Sequence, residues 1–425
     1  MTINDKKIVI IGAGIAGLAA AQSFQKHGFG NVVVLEGRDR IGGRIWTDKT
    51  IGMSVDLGAS WIHGASKRNP ITQLAKKAKA QTFVLEEEAV EIFRLNGQKY
   101  TKETVRIGWK KYQNILKKVD EHAEENKSIR EVIEEINPEI LEESLMRYFL
   151  SADKEFDYGN DINKLSSMYY ESDEVIRGED QIITNGYQRI VEYLADGVDV
   201  RLNQKVVFID YDEEDVLVET EKGNFLADYV VCTLPLGVLQ SGDVTFEPEL
   251  PEWKAEAIGY MEMGTVNKVV LTFPKCFWNK ELHYIGITSK EKGKYNYFLN
   301  YKKINEHPTL MTFAFGDFAK EMEKHTNEQV QKDVMAHLKV MYGKNIPEPT
   351  DLLRSQWHSD PFCYGSYTAA VKGMNDEEFE LLAENIDGKL FFAGEHTHHT
   401  FRGTVHGAYL SGEEVVQEVL ELLSV

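Results

Sequence analysis

Cysteine is scarce in this chain: Cys232, Cys276 and Cys363 are the three among 425 residues. An odd, scattered set implies no disulfide framework. Basic residues are outnumbered, 48 against 68 acidic, which leaves a formal net charge of −20. That balance disfavours nucleic acid and anionic membranes as partners. No apolar run approaches the roughly 18 residues of a membrane-spanning helix. No signal peptide, internal repeat or low-complexity tract stands out. The expectation is a soluble, cytoplasmic protein, long enough for two domains and a large core.

What is present is concentrated near the start. Lys7-Ile-Val-Ile-Ile-Gly12-x-Gly14-x-x-Gly17 precedes an apolar helix and then Val32-Val-Val-Leu-Glu36. Ile8 to Ile11 reads as a buried parallel strand, and Ile15 to His27 as a helix. Glu36 ends the next strand nineteen residues after Gly17. The strand–GxGxxG–helix–acid order is that of a dinucleotide site; a bare glycine turn is the alternative. Gly12 allows the tight turn, Gly14 admits a pyrophosphate to the backbone, and Gly17 lets helix and strand pack closely. The helix N-terminus then offers free N–H groups and partial positive charge. Glu36 suits a ribose and would repel a 2′-phosphate.

A second glycine motif, Arg38-Asp-Arg-Ile-Gly42-Gly43-Arg44, follows at once. It adds a close-approach backbone and a guanidinium for phosphate or flavin oxygens, which favours FAD over NAD. Near the other end, Lys389-Leu-Phe-Phe-Ala-Gly394-Glu395 reads as a strand and turn. Arg402-Gly403-Thr404-Val405-His406-Gly407 then opens a helix running towards Leu423, with Thr404 as N-cap. Gly407 and Gly412 permit close backbone approach. That helix N-terminus suits the edge of a flavin that gains negative charge on reduction. An ordinary docking helix is the alternative.

Three blocks together resemble the flavin-containing amine oxidase family, most of all its polyamine oxidase branch. They are the N-terminal glycine motifs with Gly58-Ala-Ser-Trp-Ile-His63-Gly64, then Met263-Gly-Thr-Val-Asn-Lys268 and the strand after it, and a stretch from Trp357 to Gly412. Asp228-Tyr-Val-Val-Cys-Thr-Leu-Pro235 adds support. The resemblance implies an α/β fold with a Rossmann-type FAD-binding domain interleaved with a substrate domain, as in the p-hydroxybenzoate hydroxylase-like proteins. The expected FAD-binding part comprises residues 1–72, 182–258 and 361–425, with small antiparallel strands around Lys205–Asp210 and Val216–Thr220. The expected substrate-binding part comprises 73–181, largely helical and charged, and 259–360. Within it Asn137-Pro138 starts a helix, and another spans Asn327 to Met341.

The implied reaction is oxidation of a polyamine such as spermine, spermidine or an acetylated form. A hydride passes to FAD, the imine is hydrolysed to aldehyde and amine, and molecular oxygen becomes hydrogen peroxide. An alkylamine with a pKa of about 10 must lose its proton first, which a low-dielectric pocket favours. The resemblance assigns catalysis to Lys268, His63 and Tyr367. Lys268 holds a water near the flavin, although a snorkelling lysine is the alternative. His63 accepts a hydrogen bond from the amine or shares its proton, or is a structural histidine of a turn. Substrate contacts fall to His63, Tyr367 and Thr404, the last a small residue opposite Tyr367.

FAD contacts fall to Gly12, Gly14, Ala16, Gly17, Glu36, Arg38, Gly43, Arg44, Gly58, Ala59, Ser60, Trp61, Val206, Trp357, Gly394, Glu395, Thr404 and Val405. Ser366 stands where monoamine oxidases carry the flavin-linked cysteine, so FAD is expected to be non-covalent. His396, His398 and His399 have no recognised metal-ligand spacing, and no metal is expected. The negative charge suits a small cationic substrate. Glu86, Glu87 and Glu88, or Glu171, Asp173 and Glu174, are candidate anchors for a distant ammonium or simply solvated faces. Four competing readings are a histone-lysine demethylase, an L-amino-acid oxidase, a monoamine oxidase-like enzyme and a non-catalytic flavin-binding interaction protein.

Overall fold

The structure is a computed structural model that describes residues 3–171, 174–374 and 376–424. Strand Lys7–Ile11 sits at the centre of a five-stranded parallel sheet. Asn31–Leu35 and then Asp199–Arg201 lie on one side, and Tyr229–Cys232 and then Leu390–Phe392 on the other. Four of the five residues of Lys7–Ile11 are buried, as expected of a parallel strand covered on both faces. Helix Ile15–Lys26 covers one face and packs against helix Val405–Leu423. Small residues set that distance. A Cβ on Gly412 would stand 2.2 Å from the Ala16 carbonyl oxygen.

Val206–Asp210 and Val216–Thr220 pair antiparallel as expected, and Gly223–Ala227 extends them. Thr245–Glu247 joins the other edge in parallel. A six-stranded sheet runs Asp351–Arg354, Val266–Thr272, Thr309–Phe315, Lys294–Asn300, Tyr284–Ile287 and Val90–Phe93. Val266–Thr272 and Thr309–Phe315 are buried along their whole length. Val269 and Leu271 face the core under helix Asn327–Tyr342, while Val266 and Val270 pack towards Trp61 and Phe313. Lys268 has the parity of Val266 and Val270, so the period-two rule gives it that second face.

The largely helical 73–181 segment also holds strands Thr82–Val84 and Val90–Phe93. Both pair with partners distant in sequence, which outweighs the local charge pattern. Pro138 opens a single 3₁₀ turn, Pro138–Glu142, rather than an α-helix. Helix Ser144–Leu150 passes through a wide π-type turn, Ser151–Glu155, into Phe156–Tyr158. Such turns recur where a helix re-aims side chains. Two small sheets bridge the expected segment boundaries. Trp61–Ala65, Glu179–Ile183 and Thr82–Val84 form one, and Glu262–Gly264 with Tyr367–Ala369 forms the other. Among the described residues no helix is long and apolar enough to cross a membrane.

Candidate active site

A cavity of about 1340 Å³ runs from the glycine turn at Gly12 to the face of the six-stranded sheet at Lys268. At the first end Gly12 has φ +103°, and Gly14 caps helix Ile15–Lys26 with no side chain over the helix N–H groups. A Cβ on Gly14 would meet nothing within 4 Å, whereas one on Gly17 would meet the Gly12 carbonyl oxygen at 2.0 Å. Gly14 therefore presents open backbone, and Gly17 serves the packing beneath it. Glu36 is buried, and its two carboxylate oxygens accept from Ala13 N at 2.8 Å and Arg38 N at 2.9 Å. Arg38 itself is forked onto Asp360 at 2.8 and 2.9 Å. Arg44 pairs with Glu395 at 2.6 Å and donates to the Ser366 carbonyl oxygen at 3.1 Å. Burial works against the Glu395 charge, but Arg44 holds its pKa below the ordinary value.

The remaining expected cofactor residues also line this cavity: Ala16, Gly43, Gly58, Ala59, Ser60, Trp61, Val206, Trp357, Gly394, Thr404 and Val405. Thr404 caps helix Val405–Leu423 by accepting from Gly407 N at 2.9 Å. Its hydroxyl is further committed to the Phe401 carbonyl oxygen at 2.7 Å. Trp357 donates its indole N–H to the Leu57 carbonyl oxygen at 3.1 Å. Thr233 and Pro235 line the same space and were absent from the expected set.

At the second end, Lys268 is buried beside the turn Asp56–Ser60. Its Nζ contacts the carbonyl oxygens of Asp56 and Gly58 and the hydroxyl of Ser60, and lies 5.2 Å from the centre of the Trp61 ring. Burial pulls its pKa down to about 7, against the attraction of the Asp56 carboxylate. Tyr367 donates to the Phe156 carbonyl oxygen at 2.8 Å, which fixes its ring in the cavity wall. His63 faces the cavity and pairs through Nδ1 with Asp180 Oδ2 at 2.8 Å. Burial opposes its charged form, but Asp180 outweighs that and raises its pKa.

Acids collect around this end. Glu87, Glu88, Asp153, Asp157, Glu174 and Asp180 all line the cavity. Enclosure by protein, then the neighbouring Asp153, pushes the Asp157 carboxyl up to about 8. Of the candidate anchors, Glu87, Glu88 and Glu174 line the cavity. Glu86 is not a lining residue, Glu171 pairs with Lys154, and Asp173 lies outside the described residues. Asp153, Asp157 and Asp180 were not foreseen. Aromatic rings complete the walls, among them Trp61, Tyr148, Phe156 and Tyr297.

A family model described as flavin containing amine oxidoreductase matches residues 15–420. The chain belongs to that family. It is 33% identical to "Probable polyamine oxidase 4" of Arabidopsis thaliana, over 96% of this chain and 86% of that protein. It is 34% identical to "Polyamine oxidase 2" of the same plant, over 99% of this chain and 90% of that one. A solved structure of a redesigned putrescine oxidase double mutant shares the fold, with TM-score 0.79 at 19% identity. The match covers 98% of this chain and 99% of that one.

This flavin amine oxidase thus belongs with the polyamine oxidase-like branch, and its cofactor is FAD. The residues fit that group. Gly14 and Gly43 leave the backbone open to a pyrophosphate, and the uncapped helix N-terminus faces it with N–H groups. Glu36 is fixed for a ribose at the end of its strand. Cys363 is buried with its thiol towards the Trp357 carbonyl oxygen at 3.4 Å, consistent with non-covalent FAD.

Proposed function

We propose that this flavin amine oxidase oxidises polyamines. The observation that carries the reading is the acidic, aromatic-walled end of the cavity, continuous with the FAD cradle. A chain bearing two or more ammonium groups meets the carboxyls of Glu87, Asp153 and Asp157, the last ionising against the bound cation, and its methylenes meet rings. The net charge of −20 adds a long-range attraction for cations. When bound, FAD would supply the acceptor for the hydride equivalent that leaves the carbon beside the nitrogen.

The chain's own part is to bind, orient and deprotonate. Tyr367, tied to Phe156, and Trp61 wall the space beside Lys268. His63 faces the same space with a ring nitrogen open to an amine. An amine oxidised there leaves as an imine, which water hydrolyses to aldehyde and amine. Lys268 would exchange its contact with the Ser60 hydroxyl for that water, or assist oxygen, at a pKa that lets it exchange protons near neutrality.

The test is the anaerobic absorbance spectrum of the yellow holoenzyme before and after spermine, spermidine and their acetylated forms. Bleaching of the flavin band by these, with little effect from monoamines or L-amino acids, is expected. Bleaching by an L-amino acid alone would replace this reading.

A further inference from the structure

We propose that Asp180 is the positioning residue that makes His63 the proton acceptor for the substrate amine. The proposal rests on the amine-oxidising reading of the site. It starts from strand pairing. Trp61–Ala65 runs antiparallel to Glu179–Ile183, with Trp61 opposite Ile182 and Ile62 opposite Gln181. The register then slips, and Ala65 stands opposite Glu179. His63 and Gly64 form the bulge, a feature that bends a strand and re-aims a side chain. Gly64 is required there. It has φ +59°, and a Cβ would fall 1.7 Å from the Ile176 carbonyl oxygen.

One carboxylate spans the bulge. Asp180 Oδ1 accepts from Gly64 N at 2.9 Å, and Oδ2 lies 2.8 Å from His63 Nδ1. Asn69 Nδ2 donates to the His63 carbonyl oxygen at 2.7 Å. Ring and backbone of His63 are therefore both held. A nitrogen facing an ionised carboxylate at this distance carries the proton. In the neutral ring the lone pair is then on Nε2, which makes no hydrogen bond among the described residues and belongs to a side chain exposed to the cavity.

The step balances within these groups. An N–H bond of the substrate ammonium breaks, an Nε2–H bond forms, and the electron pair of the broken bond stays on the substrate nitrogen as its lone pair. The imidazolium so formed keeps its Nδ1–H on Asp180, which offsets the new charge. Other titratable groups also act on His63. Asp157, from Phe156–Tyr158, and Glu87, before Val90–Phe93, favour its charged form. His406, in the first turn of Val405–Leu423, opposes it when charged but is held neutral, its pKa pulled down to about 4 by burial. Among the described residues Asp180 is the one acid in direct contact, so the dyad is where a substitution will read out.

The experiment is a pH titration of the holoenzyme with isotope-labelled histidine, followed by NMR, the His63 signal being assigned by its loss in His63→Gln. In the parent, the neutral ring is expected to be protonated at Nδ1, with a pKa above the ordinary value of about 6.5. Asp180→Asn keeps the shape and removes the charge. It should lower the His63 pKa by about one unit and move the acid limb of kcat/KM to lower pH equally. The high-pH plateau should fall about tenfold or more. Asp180→Glu should restore part of the shift. Unchanged flavin absorbance and circular dichroism will show that the variants are folded. A His63 titration identical in parent and Asp180→Asn, or a neutral ring protonated at Nε2, overturns the pairing. A shifted titration with an unmoved kcat/KM profile overturns the role in the reaction. The titration needs no substrate, so it succeeds or fails independently of the polyamine reading.

Discussion

Lys268 Nζ donates to the main-chain oxygen of Asp56 at 2.9 Å, while the Asp56 side chain turns away to accept from Tyr187 N at 3.0 Å. One residue thus ties the six-stranded sheet to the turn that lines the FAD cavity. Burial pushes the Asp56 carboxyl up to about 6, and Lys268 acts against that shift. The lysine meets backbone and hydroxyl oxygens rather than a salt-bridge carboxylate. That explains why a cation is tolerated within a strand that is otherwise largely apolar.

Lys268→Met is expected to keep the flavin spectrum, because Gly14, Glu36 and Arg44 do not depend on it. It should slow flavin reduction or reoxidation by about 100-fold. Stopped-flow absorbance of the two half-reactions will show which. Parent-like rates in both would remove Lys268 from the chemistry.

Asp157→Asn should raise KM for a polyamine about tenfold, with a smaller change in kcat. A monoamine, lacking a second ammonium, should lose less. Equal losses for both substrates would place Asp157 away from the distant charge.

Lys254 is fully buried, and its Nζ donates to the carbonyl oxygens of Leu381, Leu382 and Glu384 at 2.7, 3.0 and 2.7 Å. Burial lowers its pKa to about 7. Between pH 7 and 9 the unfolded chain keeps a proton that the folded chain sheds, so this lysine makes stability rise with pH. The slope is at most about 1.4 kcal/mol per pH unit. Urea unfolding of Lys254→Met should show that slope reduced and turnover unchanged.

Gly412→Ala places a methyl against the Ala16 carbonyl oxygen and should cost about 1–3 kcal/mol as the two helices separate. Ala16 also lines the FAD cavity, so the variant should release FAD more readily. Thermal melting and flavin fluorescence measure the two effects.

The cofactor end was legible because its signals are local. Gly12, Gly14, Gly17 and Glu36 act within one strand–helix–strand unit, where each residue type answers a single backbone demand. Lys268 was legible as a charge among apolar neighbours. The acids of the other end were not. Asp180 reaches His63 across 117 residues through a bulged strand pair, and nothing around Asp180 in sequence marks that partner. Asp157 is aimed by a π-type turn that no helical periodicity reveals. Thr82–Val84 and Val90–Phe93 were hidden for the same reason, their pairing being set by partners far along the chain.

The sheet order carries a consequence for biosynthesis. Leu390–Phe392 is an edge strand of the sheet that begins with Lys7–Ile11, and helix Val405–Leu423 closes against Ile15–Lys26. A nascent chain emerging from the ribosome therefore holds its glycine turn early but lacks the strand and helix that complete the cradle until residues 390–423 have been made. Stable FAD capture must wait for that strand and helix, and a chain halted before Lys389 should emerge colourless.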